Sequence, residues 1–291
     1  MLVKPECIIC AINGILNLFK NGLLDIKYQE EILRRILKYY SEVNYNQLTI
    51  AAGKEVKKII QEVSGNPDPF KPLKDEYNLK ALEYYNKYEN AIKNDINPMD
   101  KALRLAIAGN IIDFGPTHDF DIYKKIEEVF KDEFAVDDSK ELFEEIKKAK
   151  SILYLGDNTG EIVFDKLFLE VLNHPNVTFA VRHSPVLNDA TLEDALFIGI
   201  NKLAKVITNG DNAPGTLLNS VSEQFLEHFN SADLIISKGQ GNFEGLSHIT
   251  NKNIYFLLTI KCELIAKNIG VKKGDCIVKS VQKERLKIQK N

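Results

Sequence analysis

The stretch Ser151-Ile-Leu-Tyr-Leu-Gly-Asp-Asn-Thr-Gly-Glu161 decides the fold. Its first half is a short apolar run with no alternation of polar residues, so a strand there has both faces out of water. Its second half is a glycine-bounded polar turn leading into the amphipathic segment Gly160–Leu172, which reads as a helix. A fully apolar strand followed at once by a helix is the unit of a parallel sheet covered on both faces.

The same rhythm continues toward the carboxyl end. Strands are predicted at Ser151–Leu155, Val177–Val181, Lys205–Thr208, Leu234–Ser237 and Ile254–Leu258, each bounded by turn formers. Helices are predicted at Gly160–Leu172, Leu192–Ile198, Thr216–Phe229 and Cys262–Ile269. Residues 116–291 are therefore expected to form a three-layer α/β/α sandwich with a mostly parallel, doubly wound sheet. Toward the amino end the period changes. From Ile8 to about Tyr88 apolar residues recur every three or four positions, as in Ile32, Leu33, Ile36 and Leu37, and a further helix is predicted over Asp100–Ile112. Residues 1–115 read as an all-helical domain, with Ser64–Pro72 as a turn inside it.

Composition narrows the function. The 291 residues carry 38 basic and 41 acidic side chains, a formal net charge of -3, mixed along the whole length. No basic face for a nucleic-acid backbone follows from that balance. The apolar run Leu105–Ile112 is broken by Gly109 and Asn110, short of the ~20 residues a membrane span needs. With no leader-like amino terminus, a cytoplasmic location is expected. Cys7 and Cys10 form a Cys-x-x-Cys pair, while Cys262 and Cys276 stand far away in sequence. A four-cysteine metal site would need them to meet in space; otherwise the pair packs as two small side chains on one face of the first helix.

Polar residues gather where a doubly wound sheet binds ligands, at the carboxyl ends of its strands. Asp157 and Asn158 follow the first strand, Asp189 closes the loop Arg182-His-Ser-Pro-Val-Leu-Asn-Asp189, and Ser237-Lys-Gly-Gln-Gly-Asn242 follows the fourth. A turn needs one such residue, so adjacent carboxylate and carboxamide pairs point beyond turn formation. Their oxygens are hard donors suited to Mg²⁺ or Mn²⁺. Lys238, with Gly239 and Gly241 beside it, suits a phosphate group. For Thr191, Asp211 and Asn212 a capping or turn role suffices. Asp119-Phe-Asp121, the sole Asp-x-Asp pair, lies between helices and reads as capping, so an aspartyl-phosphatase motif is not indicated.

Gly156-Asp-Asn-Thr-Gly-Glu161, the Arg182–Asp189 loop, Pro214-Gly-Thr216, Ser237–Asn242, Thr259-Ile-Lys-Cys262 and Gly109-Asn-Ile-Ile-Asp113 together resemble the damage-control phosphatases, the ARMT-like proteins. Cys7-Ile-Ile-Cys10 is similar to the start of the family's small prokaryotic branch. The resemblance covers nearly the whole chain. It implies metal-dependent hydrolysis of small phosphate monoesters, sugar phosphates or damaged phosphometabolites. It also implies one divalent ion (Mn, Mg, Co or Ni) at Asp157, Asn158 and Asp189. Asp157 and Lys238 would be catalytic, with Asn110, Asp113, Glu161, Lys238 and Lys261 around substrate and phosphate. His183 departs from the pattern, standing where a glycine or other small residue is expected. Two other readings fit parts of the sequence: an S-adenosylmethionine-dependent carboxyl methyltransferase, from the glycine-rich look of Leu155–Gly160, and a metabolite- or metal-binding module without turnover. The methyltransferase loop would need small residues where Asp157 and Asn158 stand.

Overall fold

The computed structural model describes residues 1–109 and 122–282. Asn110, Asp113 and the Asp119-Phe-Asp121 pair lie outside the described residues. The first elements are helical: α1 (Pro5–Lys20), α2 (Gln29–Ser41), α3 (Thr49–Ser64), α4 (Lys71–Lys93) and α5 (Pro98–Gly109). Then come α6 (Ile122–Lys131), β1 (Val136–Asp137), α7 (Ser139–Lys148), β2 (Ile152–Leu155), α8 (Glu161–Leu172), β3 (Val177–Val181), α9 (Leu192–Phe197) and β4 (Lys205–Thr208). The chain continues through α10 (Glu223–Ser231), β5 (Leu234–Lys238), α11 (Gly239–Leu246), β6 (Ile254–Thr259), α12 (Glu263–Ile269) and β7 (Cys276–Ser280).

The seven strands lie in the order β1-β7-β6-β5-β2-β3-β4, all parallel neighbours except the antiparallel pair β6 and β7. Winding runs from β2 through β3 to β4 in one direction, then returns to place β5 on the other side of β2. The switch point therefore falls between β2 and β5, where Leu155 is the register partner of Ser237. In doubly wound sheets such a point, at the strands' carboxyl ends, is where ligands bind.

Strand alternation divides the core. Ile152 and Tyr154 of β2 join one apolar cluster with residues of α4, α5 and α8, including Tyr85, Leu103, Ile107 and Phe164. Leu153 and Leu155 face a second, with Phe225 of α10, Phe243 of α11 and Ile265 of α12. Both sides of β2 are thus buried, which is why it is apolar at every position. Helices α1 to α3 close a cluster of their own around Ile15, Phe19, Ile32, Ile36 and Ile60. So α4 and α5, although early in the sequence, share their core with the sheet.

Several expectations need correction. Thr216–Phe229 is not one helix: α10 begins only at Glu223, where Ser222 Oγ accepts a hydrogen bond from the Phe225 N–H at 3.2 Å, and the residues after Pro214-Gly215 form turns. Gly239 and Gly241, the glycines after Lys238, lie in the first turn of a helix, α11, that was not expected. β1 and β7 were not foreseen; the first has only two residues, and the second carries Lys279 and Ser280 in an otherwise apolar run. Of the first cysteine pair, Cys7 packs against the cluster of α1 to α3 while Cys10 is exposed, and all four cysteines are free thiols. No helix among the described residues is long and apolar enough to cross a membrane.

Candidate active site

Backbone pairing sews together the loops that leave β2 and β3. The Ala190 N–H donates to Asp157 O at 2.8 Å, the Thr159 N–H donates to Asn188 O at 2.9 Å, and Asn158 and Asp189 form an isolated antiparallel bridge. This pairing brings Asp157, Asn158 and Asp189 side by side at the switch point, all three buried. Gly160, at φ +74°, turns the chain into α8 and donates its N–H to Asn78 Oδ1 of α4 at 2.8 Å.

A guanidinium lies among these carboxylates. Arg182 Nε donates to Asp189 Oδ2 at 2.6 Å, and its Nη2 is 3.5 Å from Asp157 Oδ1. Both terminal nitrogens donate to Asn242 Oδ1 at 3.2 Å, and Asn242 in turn donates to Lys238 O at 2.8 Å. The planar fork of Arg182 therefore ties the loop after β3 to α11. Arg182 and Asn242 lie inside the motifs quoted from the sequence, where neither is given a role. A signal existed for each: Arg182 is a charged residue next to an apolar strand, and Asn242 is four residues from Lys238, one helical turn away.

Lys238, at the end of β5, is fully buried, and its three ammonium protons have partners. They go to Ala106 O at 2.9 Å, Glu161 Oε1 at 2.5 Å and Asp165 Oδ1 at 2.6 Å. Lys238 thus holds two carboxylates of α8 and the last turns of α5 in place, and any phosphate would have to share its protons with them. Asp165 was also missed; its i,i+4 spacing from Glu161 on an otherwise apolar helix face was the available sign. Tyr154 Oη donates to Asp165 Oδ1 at 2.7 Å. Glu161 Oε2 accepts from Asn158 Nδ2 at 3.2 Å, which links this network to the first cluster. Lys261 is half-buried; its N–H donates to Gln240 Oε1 at 2.9 Å, and its positive charge acts on Asp157.

The electrostatics are unbalanced. Four buried carboxyl groups, Asp157, Glu161, Asp165 and Asp189, face two buried cations, Arg182 and Lys238. Burial, then the charges of Asp189 and Glu161, push the Asp157 carboxyl well above the usual carboxylate range, against the pull of Arg182 and Lys261. Burial also raises Asp165, to about 7, although Lys238 opposes it. The excess negative charge is what a divalent cation would neutralise, and the available donors are oxygens. No group of three or more His, Cys, Asp or Glu side chains suited to a metal occurs among the described residues, so the candidate set is two carboxylates and the Asn158 carboxamide.

Comparison with known proteins agrees with this architecture. Residues 3–277 match the damage-control phosphatase ARMT1-like domain. The chain belongs to that family. A damage-control phosphatase of Pyrococcus horikoshii is 39% identical over 280 residues, 94% of this chain and 96% of the relative. A damage-control phosphatase of Archaeoglobus fulgidus is 31% identical over 294 residues, 97% and 100% of the two chains. The crystal structure of a DUF89 family protein from Pyrococcus horikoshii superposes with a TM-score of 0.85 at 37% identity, covering 97% of this chain and all of that one. The mostly parallel seven-stranded sheet and its helices thus match the fold of that structure.

Proposed function

We propose that this protein is a metal-dependent phosphatase that hydrolyses small phosphate monoesters, with sugar phosphates or damaged phosphometabolites as substrates. The observation that supports it most directly is the buried excess of carboxylates at the β2/β5 switch point, in a chain whose relatives are named damage-control phosphatases. Asp157, Asn158 and Asp189 would hold the ion, Mn, Mg, Co or Ni, and it would supply Lewis-acid polarisation of a phosphoryl oxygen.

The chain's own groups do the rest. Arg182 fixes the Asp189 carboxylate and, through Asn242, its own position. Lys238 and Lys261 place positive charge near the cluster against a phosphate dianion. Glu161, with Asn110 and Asp113 after α5, would border the substrate. In hydrolysis a water oxygen forms the new bond to phosphorus, the ester P–O bond breaks, and the alcohol leaves with a proton.

The same reading takes the sheet as the middle of an α/β/α sandwich, residues 1–115 as a helical domain over it, and the cytoplasm as its location. A methyltransferase is not favoured, because the carboxylate of Asp157 occupies the loop where a nucleotide cofactor would need small residues. The test is phosphate release from sugar phosphates and an aryl phosphate by metal-stripped protein resupplied with each ion, beside Asp157→Ala. Metal-dependent release lost in the variant supports the proposal. Undiminished release by Asp157→Ala, or none with any ion, overturns it.

A further inference from the structure

Bordered by the loop that carries Arg182 and Asp189 lies a cavity of about 270 Å³. Its walls include Gly14 of α1, Val56 and Lys57 of α3, Phe70, and Pro185 and Leu187 of the loop itself. None of Asp157, Asn158, Asp189, Arg182 or Lys238 lines it. The volume is just below the ~300 Å³ at which small-molecule sites begin, and its walls are mainly aliphatic and aromatic.

Beside Gln61 and the Asp68 carboxylate, which Lys74 pairs, Lys57 is the one cation in that lining. It is 7% exposed, and its one hydrogen bond among the described residues is a long one, 3.4 Å to Ser184 Oγ. The acids whose charge acts on it, Asp211 and Asp68, are paired with Lys54 and Lys74 instead. Burial pushes its ammonium pKa down, as expected for a charge without a close counter-ion. Leu187 stands opposite in character: 40% exposed although apolar, and held at φ +46°, where side chains are rarely found.

We propose that this cavity is a second binding site, for a small amphipathic monocarboxylate whose apolar body fills the cavity and whose carboxylate pairs with Lys57. Such a ligand supplies what the two residues lack, a counter-ion for Lys57 and apolar contact for Leu187. Because Pro185 and Leu187 form part of the wall, the occupant also braces the loop that ends in Asp189.

Isothermal titration calorimetry of the full chain with octanoate, with octan-1-ol as the uncharged control, tests this without reading turnover, so it stands or falls apart from the phosphatase proposal. Saturable one-to-one octanoate binding is expected, at least about tenfold tighter than octan-1-ol. Lys57→Met should reduce octanoate to the alcohol's level. Gly14→Leu should abolish binding of both while keeping the fold, since a Cβ at Gly14 meets nothing within 4 Å and leucine favours a helix over glycine. No saturable octanoate binding by the native protein, undiminished binding by Gly14→Leu, or a preference for octanoate that survives in Lys57→Met would each overturn the proposal.

Discussion

A Cβ atom at Gly239 would stand 1.8 Å from Oδ2 of Asp157, so the candidate metal ligand is seated directly on the backbone that starts α11. Gly239 also has φ +77°. Any side chain there must move Asp157, and displacement by about 1 Å can cost ~10²-fold in rate. Gly239→Ala should therefore lower kcat by about that factor. Gly270→Ala is the control, because Gly270 has φ +85° but nothing within 4 Å of its would-be Cβ. If both variants keep native turnover, the contact with Asp157 does not set the site's geometry.

Arg182 is expected to act as a positioning residue. Its Nε bond to Asp189 and its fork on Asn242 use the planar guanidinium in two directions at once, which an ammonium cannot reproduce. Arg182→Lys keeps the charge and loses the geometry. It should reduce metal affinity or activity by about 10–100-fold, the usual effect of removing a partner that orients a metal ligand. Metal titrations of turnover would show it as a raised metal requirement; an unchanged requirement and an unchanged kcat would count against the role.

Lys238 makes a sharper claim on stability. Removing one partner of a buried ion pair typically costs about 3–5 kcal/mol, because the remaining charge is left unpaired. Lys238→Met takes the ammonium partner from both Glu161 and Asp165. Urea unfolding should show a loss of that size, and adding Glu161→Gln with Asp165→Asn should recover part of it. A single variant as stable as the native chain would show that the pairing with Lys238 adds nothing net to stability.

The sequence was most informative where burial is two-sided. β2 and β3 are buried throughout and apolar but for Thr178, and the polar turns after them needed only strand order to become a site. Strand ends and edges were harder to read. β1 is two residues long and gains its stability from pairing with β7, which single-strand patterning cannot express. α11 was invisible because Gly239 and Gly241 are poor helix formers; they are present for close packing, against Asp157 in one case and Pro214 O in the other. The partners of Lys238 were hidden for a related reason. A lysine at a strand end suggests a ligand, and only the meeting of α5, α8 and β5 shows that protein groups already occupy its protons.

Away from the candidate site, Asp211 ties the loop after β4 to α3 through Lys54. Burial alone would raise its carboxyl pKa, but hydrogen bonds from Lys54, Ser220 and the Asn212 N–H bring it below the ordinary value. A depressed folded pKa means that the group stabilises the fold above the unfolded pKa of about 3.9 and loses that contribution as pH falls through the folded value. The native chain should melt above Asp211→Asn at pH 7, and the gap should begin to narrow as pH falls below about 4. A gap independent of pH would show that the Asp211 charge is not what holds α3.

The charge excess around Asp157 gives a test that needs no substrate. An ion that binds the native but not the unfolded chain stabilises it by RT ln(1 + [L]/Kd), about 2.7 kcal/mol at a hundred times Kd. Chelator-treated protein should therefore gain thermal stability on addition of Mn²⁺ or Mg²⁺, to an extent that rises with the logarithm of concentration. Asp157→Asn and Asp189→Asn remove candidate ligands and part of the repulsion together. Each variant should gain less when the ion is added, and Asp157→Asn should also melt closer to the metal-loaded native protein when no ion is present, whereas Asp189→Asn gives up the ion pair with Arg182. That pairing separates binding from screening: salt at equal ionic strength relieves repulsion in the native protein without a saturable dependence on the ion. A melting temperature that responds equally to Mg²⁺ and to matched potassium chloride would remove the divalent site from the proposed mechanism.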